Sequence, residues 1–368
     1  MDKIKLIEPY ISFDQVELGL REIFASGQFT RGSNVAKFAD DLKIYTSAKH
    51  AFLVTSATTA LTMCLKALGI KEGDDVLVSD FSFPATANVV EDLGARPVFV
   101  DVSRDTFNMC VDDLKTKITK NVKAVIFVDA FGNPTGIDDV MAVCHELSIP
   151  VIEDAACAIG SSSRGKKTGF IADLTCFSFH PRKLLCTGEG GAILTNSDSY
   201  AEFFESKLMH GAKGMRGLGL DFVTYGYNYR MSEIQALLGH TQLANLDSIT
   251  RDRQRMFREY SELLSPLGFI PQKSDEECEH NIQSVVFTLP AGLDQIELVK
   301  YLTENNIEAT LGTYCLSGTT YYKKEYDNVQ PNAWWLENNT ITLPCHSNVK
   351  VERICTTIST YMRINRKK

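Results

Sequence analysis

The stretch from Leu174 to Thr195, LTCFSFHPRKLLCTGEGGAILT, constrains the fold more than any other in the chain. An apolar strand breaks at Pro181, presents Lys183, and returns through Gly188, Glu189, Gly190 and Gly191 into a second apolar strand, AILT. One lysine is thereby held between two buried strands. Loss of water disfavours an ammonium, so such an amine becomes a nucleophile near neutral pH. The Ser178 hydroxyl lies five residues upstream, and the glycine turn lets backbone approach a bound ligand closely. These features suit an aldehyde cofactor held as a Schiff base. The same lysine alone could equally be a surface residue in a strand-to-strand loop, so its company elsewhere in the chain decides.

That company is an alternation of short apolar strands and helices. AFLVT (51–55) runs into SATTALTMCLKAL, whose small first turn and later apolar spacing mark a helix. DDVLVSD (74–80), PVFVDV (97–102), VKAVIFVDA (122–130) and IPVIEDAA (149–156) follow, with helices at 85–93, 111–118 and 137–147 between them. This order predicts parallel strands in an α/β domain, with ligands gathered at the strands' carboxyl ends. Residues 13–50 read as two helices joined by SGQFTRGS, and the helix from Asp198 leads into a polar, glycine-rich loop, GMRGLGLDFVTYGYNYR. A long helical stretch, bent near Asp247, marks the domain boundary. The expected division is a large domain over 1–247 and a small α/β domain over 248–368, irregular from Gly312 to about residue 340.

Four features at the strand ends carry chemistry. The helix opening at Ser56, Ala57, Thr58 and Thr59 offers free N–H groups and hydroxyls, which form either a phosphate cradle or an ordinary N-cap. Phe83, in FSFPAT, stands where a ring could stack on a flat ligand, or could simply pack the core. The pair Glu153 and Asp154 puts a carboxylate at the end of a buried strand, where it needs a cation or several hydrogen bonds. A protonated pyridine nitrogen would serve Asp154; capping the next turn is the alternative. The aromatic residues Tyr314, Tyr321, Tyr322, Trp334 and Trp335 could stack on a base or sugar, or fill the small domain.

Composition narrows the class. With 368 residues, 44% hydrophobic and 23% charged, the chain suits a soluble enzyme with a large core. A net charge of −8 argues against nucleic acid, and the one basic run, RINRKK at the C-terminus, reads as a solvated helix end. No segment of about 18 apolar residues and no signal-like leader is visible, which points away from the membrane and towards the cytoplasm. Ten cysteines without a CxxC pair suit buried thiols rather than a metal site. A nicotinamide-binding dehydrogenase is disfavoured because no GxGxxG follows any strand.

SGQFTRG, SATTAL, FSFPATAN, FGNPTG, EDAACAIG, FSFHPRK, TGEGGA and YNYRMSEIQA occur in the order of one family. The chain resembles the DegT/DnrJ/EryC1/StrS sugar aminotransferases, which depend on pyridoxal 5′-phosphate and have fold type I. The resemblance implies a large domain with a mostly parallel seven-stranded sheet flanked by helices, and a smaller C-terminal α/β domain. It implies that Lys183 forms the Schiff base, Asp154 pairs with the pyridine nitrogen, and Phe83 stacks on the ring. It further implies that Ala57, Thr58 and Ser178 hold the phosphate, while Asn228 reaches the neighbouring subunit's site in a homodimer. Arg230 and Tyr314 are candidate substrate contacts. The implied reaction moves an amino group from an amino acid, glutamate in most of the family, to a keto sugar linked to a nucleotide. Relatives that act as dehydratases carry histidine in place of this lysine, and a cofactor-binding sensor without turnover is the remaining alternative. Three positions depart from the family pattern: Ala57 where glycine is common, Cys157 where glutamine or histidine stands beside the cofactor oxygen, and GTYCLSGTTYY (312–322) in place of an HYP-type motif. The cofactor contact at Cys157 is accordingly expected to be weak or absent.

Overall fold

Strands that are apolar on both faces must be covered on both faces, and this requirement sets the architecture. The chain is described by a computed structural model over residues 2–365. Its main sheet is built from β1 (His50–Val54), β2 (Asp75–Ser79), β3 (Arg96–Val100), β4 (Val122–Val128), β5 (Val151–Asp154), β6 (Leu174–Ser178) and β7 (Gly191–Thr195). The spatial order is β1-β7-β6-β5-β4-β2-β3. β7 runs antiparallel to both neighbours and every other pairing is parallel. Alternation divides the side chains: Val76, Val78, Ile126 and Ile152 enter one core, while Leu77, Val125, Phe127 and Val151 enter the core on the other face.

A second, smaller core lies against a four-stranded antiparallel sheet, ordered 270–271, 285–288, 340–343, 310–311. Helices Gln295–Glu304 and Val351–Asn365 supply Leu298, Leu302, Ile354 and Ile358 to that core. The helix Leu246–Leu264 contributes to both cores. Leu246 and Ile249 pack with the main sheet's residues, and Met256, Tyr260 and Leu264 pack in the small core. The N-terminal segment also crosses over, since Ile4 packs in the small core and bridges Ile307.

Three local expectations change. The helical stretch around Asp247 is not bent but broken, at Ala244 and Asn245, between Glu233–Leu243 and Leu246–Leu264. The glycine-rich loop contains a hairpin, Ala212–Arg216 with Gly219–Phe222, turned at Gly217 with φ 65°. The region expected to be irregular holds two helices, Thr320–Tyr326 and Pro331–Asn339. Of the RINRKK run, residues 366–368 lie outside the described residues. No helix among the described residues is long and apolar enough to cross a membrane.

Buried carboxylates tie this last region to the sheet's carboxyl ends. Asp101 accepts from the N–H groups of Asn332 and Ala333 at 3.1 and 3.0 Å, anchoring the first turn of Pro331–Asn339. Asp80 accepts from Ser317 N and Ser317 Oγ, both at 2.7 Å, and from Cys315 Sγ at 3.1 Å. Burial pushes the Asp80 carboxyl up to about 7 despite these donors. Its folded pKa therefore lies above its unfolded value, so its contribution to stability is full at acid pH and is lost as pH rises through 7. Relative to Asp80→Asn, the wild-type chain should lose roughly 2–3 kcal/mol of unfolding free energy between pH 5 and pH 8. Denaturant titrations of both chains across that range check this, and parallel pH dependences would contradict it.

Candidate active site

β5 ends in two acids that alternation sends to opposite faces. Glu153 turns to the layer behind the sheet, where Thr175 Oγ1 donates to it at 2.8 Å and Gly169 N at 3.3 Å. Asp154 turns to the open side, where Thr86 Oγ1 donates to Oδ2 at 2.8 Å and Ala156 N to Oδ1 at 3.3 Å. Thr86 is itself oriented by Ser82 Oγ at 2.8 Å. Burial raises the Asp154 carboxyl above its ordinary range, opposed by the Thr86 hydrogen bond and then by the Lys183 ammonium. Behind it, Asp129 is pushed well up by burial and by the nearby Glu153 and Asp154 carboxylates. A buried acid with one hydroxyl and one N–H donor has room for a further hydrogen-bond donor or a cation.

Lys183 lies on the turn between β6 and β7, half-buried, and its Nζ donates to Cys157 Sγ at 3.0 Å. The cysteine that replaces the family's usual residue is thus in contact with the lysine. Ser178, at the end of β6, is buried and pairs across the sheet with Gly191. Gly191 in turn lies against the opening of the helix Ala57–Ala67: a Cβ there would meet Ser56 C at 2.5 Å and Ala57 N at 2.7 Å. Only glycine lets β7 pass so close. Ser56 caps that helix by accepting from Thr59 N at 3.1 Å, which leaves the N–H groups of Ala57 and Thr58 for a ligand. The structure thus brings Ala57, Thr58 and Ser178 around one glycine, with the helix's positive end turned towards them.

Phe83 is 66% exposed, large for an aromatic ring, and stands 6.5 Å from the Tyr314 ring at 59°. The two meet because Tyr314 pairs with Ser82 in a short antiparallel ladder. Asn228 is exposed on the segment after the hairpin, and Arg230 bridges Val54, just ahead of the cradle. The Arg230 Nε and Nη1 atoms are buried without a hydrogen-bond partner. Burial and then the neighbouring Arg31 lower its pKa. The donor set fits pyridoxal phosphate: an amine for the aldehyde, an acid for the ring nitrogen, an uncovered ring for stacking, and a glycine-lined helix opening for the phosphate. Among the described residues, no group of three His, Cys, Asp or Glu side chains could hold a metal. Sequence reasoning missed Thr86, although it falls three residues after Phe83 in FSFPAT, and also Asn281 and Gln283, which carry no local signal.

Known proteins share this chain's family pattern and fold. A family model described as the DegT/DnrJ/EryC1/StrS aminotransferase family matches residues 14–360. The GDP-perosamine synthase of Escherichia coli O157:H7 is 29% identical over 337 residues, covering 90% of this chain and 91% of its own. The UDP-4-amino-4,6-dideoxy-N-acetyl-beta-L-altrosamine transaminase of Campylobacter jejuni is 31% identical over 330 residues, covering 88% and 87%. Spr1654 from Streptococcus pneumoniae, solved in its PLP form, superposes with a TM-score of 0.91 at 27% identity, covering 99% of each chain.

Replacing Gly191 by alanine drives a Cβ into backbone that cannot yield, so Gly191→Ala should weaken pyridoxal phosphate binding by about tenfold or more and cost about 1–3 kcal/mol of stability. Cofactor titration followed by visible absorbance, together with thermal melting, checks both. Unchanged affinity would remove Gly191 from the cradle.

Proposed function

Because the chain belongs to the DegT/DnrJ/EryC1/StrS aminotransferase family and is a pyridoxal-phosphate-dependent sugar aminotransferase, we propose that it moves the amino group of glutamate to a keto sugar carried on a nucleoside diphosphate. The observation that carries this reading is the placement of Lys183 beside Cys157, with its charge opposing the burial of Asp154. The nucleotide-linked acceptor is supported by the names of the two curated relatives.

Pyridoxal phosphate supplies an aldehyde that takes up the donor's amine and an electron-poor ring that receives the electron pair from the donor's α-carbon. Lys183 would hold that aldehyde, and its amine, once free, would take the proton from the donor's α-carbon, so that one group is anchor and general base in turn. Asp154 would accept a hydrogen bond from the ring N–H and favour its protonated form, with Thr86 fixing the carboxylate's orientation. Ala57, Thr58 and Ser178 would bind the phosphate, and Phe83 would cover the ring. Arg230 and Tyr314 face the substrate. The donor departs as a 2-oxo acid, and the acceptor's C=O becomes an amine. The division into a large domain over 1–247 and a small one over 248–368 belongs to the same reading, as does a cytoplasmic location, which suits ten cysteines without a disulfide.

The working form in this reading is a homodimer. The hairpin and the residues after it expose Met215, Leu218, Leu220, Phe222, Val223 and Tyr225, an apolar surface of the kind a partner subunit covers. Asn228 follows on the same segment and completes the partner's phosphate site.

Lys183→Ala should abolish both turnover and the visible absorbance of lysine-bound cofactor. The wild-type chain, incubated with glutamate, should lose that absorbance and release 2-oxoglutarate. A panel of nucleotide-linked keto sugars, read by mass, then identifies the acceptor. Full activity in Lys183→Ala would end the proposal. For the dimer, mixing the Lys183→Ala and Asn228→Ala chains should give activity above the mean of the two parents. Light scattering showing a monomer of full activity would refute the shared site.

A further inference from the structure

The Lys183 turn is held from outside its own domain. Gln283 is 3% exposed and belongs to the segment that leads into the small domain's strand Val285–Thr288. Its side-chain amide reaches both peptides that flank the lysine: Leu184 N donates to Gln283 Oε1, and Gln283 Nε2 donates to Arg182 O, each at 2.8 Å. Two residues earlier, Asn281 grips the other half of the lysine's contact. Its Nδ2 donates to Cys157 O at 2.9 Å and to Ile159 O at 2.8 Å. One buried strap therefore fixes the backbone beneath both Lys183 and Cys157, the two residues whose side chains meet at 3.0 Å.

The strap is itself over-determined. Arg253, fully buried in the helix shared by both domains, donates to Ile282 O at 2.7 Å, Gln283 O at 2.6 Å and Cys345 O at 2.5 Å. Asn281 Oδ1 accepts from Gln283 N at 2.9 Å, closing a local turn. Between the two amides, Ile282 adopts φ 54°, a left-handed conformation that a β-branched residue rarely takes. Such strain persists only where surrounding bonds enforce it, and it gathers at sites where geometry matters. Here it aims two successive side-chain amides at two separate loops. Gly132 makes room for the first, since a Cβ there would meet Asn281 Oδ1 at 2.0 Å and Cys157 O at 2.7 Å.

We propose that Gln283 is a positioning residue for the Lys183 amine, holding the peptides on either side of the lysine so that the amine stays aligned for proton transfer at the donor's α-carbon. This rests on the reading of Lys183 given above. The lysine side chain has four rotatable carbons, so its tip is only as well placed as the backbone from which it starts. Displacement by about 1 Å is enough to cost about a hundredfold in rate when two reacting atoms must be aligned. A strap that served stability alone would alter melting and cofactor content together and leave the rate constant of the bound state untouched.

The test is Gln283→Met, which keeps the volume and removes both hydrogen bonds, compared with wild type in the full-length holoenzyme. Single-turnover reaction with glutamate should slow by about 10- to 100-fold, while the glutamate concentration for half-maximal rate changes by less than about threefold. In the chain without cofactor, amide exchange at Leu184 should quicken. Borohydride trapping of added pyridoxal phosphate on Lys183, mapped by peptide mass, should slow as well. Gln283→Glu retains an acceptor for Leu184 N but sets a carboxylate against the Arg182 carbonyl, so its rate should fall between the other two, and it decides the matter if Gln283→Met does not fold. A Gln283→Met rate within twofold of wild type, with faster exchange at Leu184, would overturn the inference, as would a full rate in Gln283→Glu. Failure of the wild-type chain to trap the cofactor or react with glutamate would instead overturn the function on which the inference rests.

Discussion

A carboxylate buried at the end of a parallel strand needs a cation or several hydrogen bonds, and Asp154 imposes that condition on the groups around it. Burial drives its pKa up, and the protein's own groups offset this only in part, through Thr86, Lys183 and Ala156. In the proposed function the ring N–H of the cofactor would meet the remaining demand, so that one charge would serve both binding and catalysis. Asp129 and Glu153, raised by burial behind the strand, leave Asp154 as the acid turned towards the pocket.

Buried carboxylates act in the same way at the ends of two other strands. Asp80 and Asp101 follow β2 and β3, and both bind backbone N–H groups of a segment more than two hundred residues away. Tyr314 reaches Phe83 through the ladder that this anchoring permits. The segment that carries Tyr314 is therefore fixed to the carboxyl ends of the main sheet's strands.

What could be read from the sequence was what local chemistry encodes. Parallel strands announce themselves as apolar runs between helices, so the sheet, the turn bearing Lys183 and the strand-end position of Asp154 were legible. The choice between Glu153 and Asp154 follows from the two-residue period of a strand once β5 is placed. Less visible was the hairpin over 212–222, whose residues face outward and show no alternation of apolar and polar positions. The helices 320–326 and 331–339 escaped notice because they are short and depend on distant acids for their anchoring. Asn281 and Gln283 left no trace at all: each acts through a side-chain amide on backbone about a hundred residues away, and no spacing rule encodes such a bond. Cys157, whose cofactor contact was expected to be weak or absent, has the lysine amine as its observed partner.

The helix Leu246–Leu264 is a member of two hydrophobic cores at once, with Arg253 sealed between them. Cutting the chain within the first turn of that rod would part Leu246 from Ile249, two residues that pack in one core. Neither half is a detachable module.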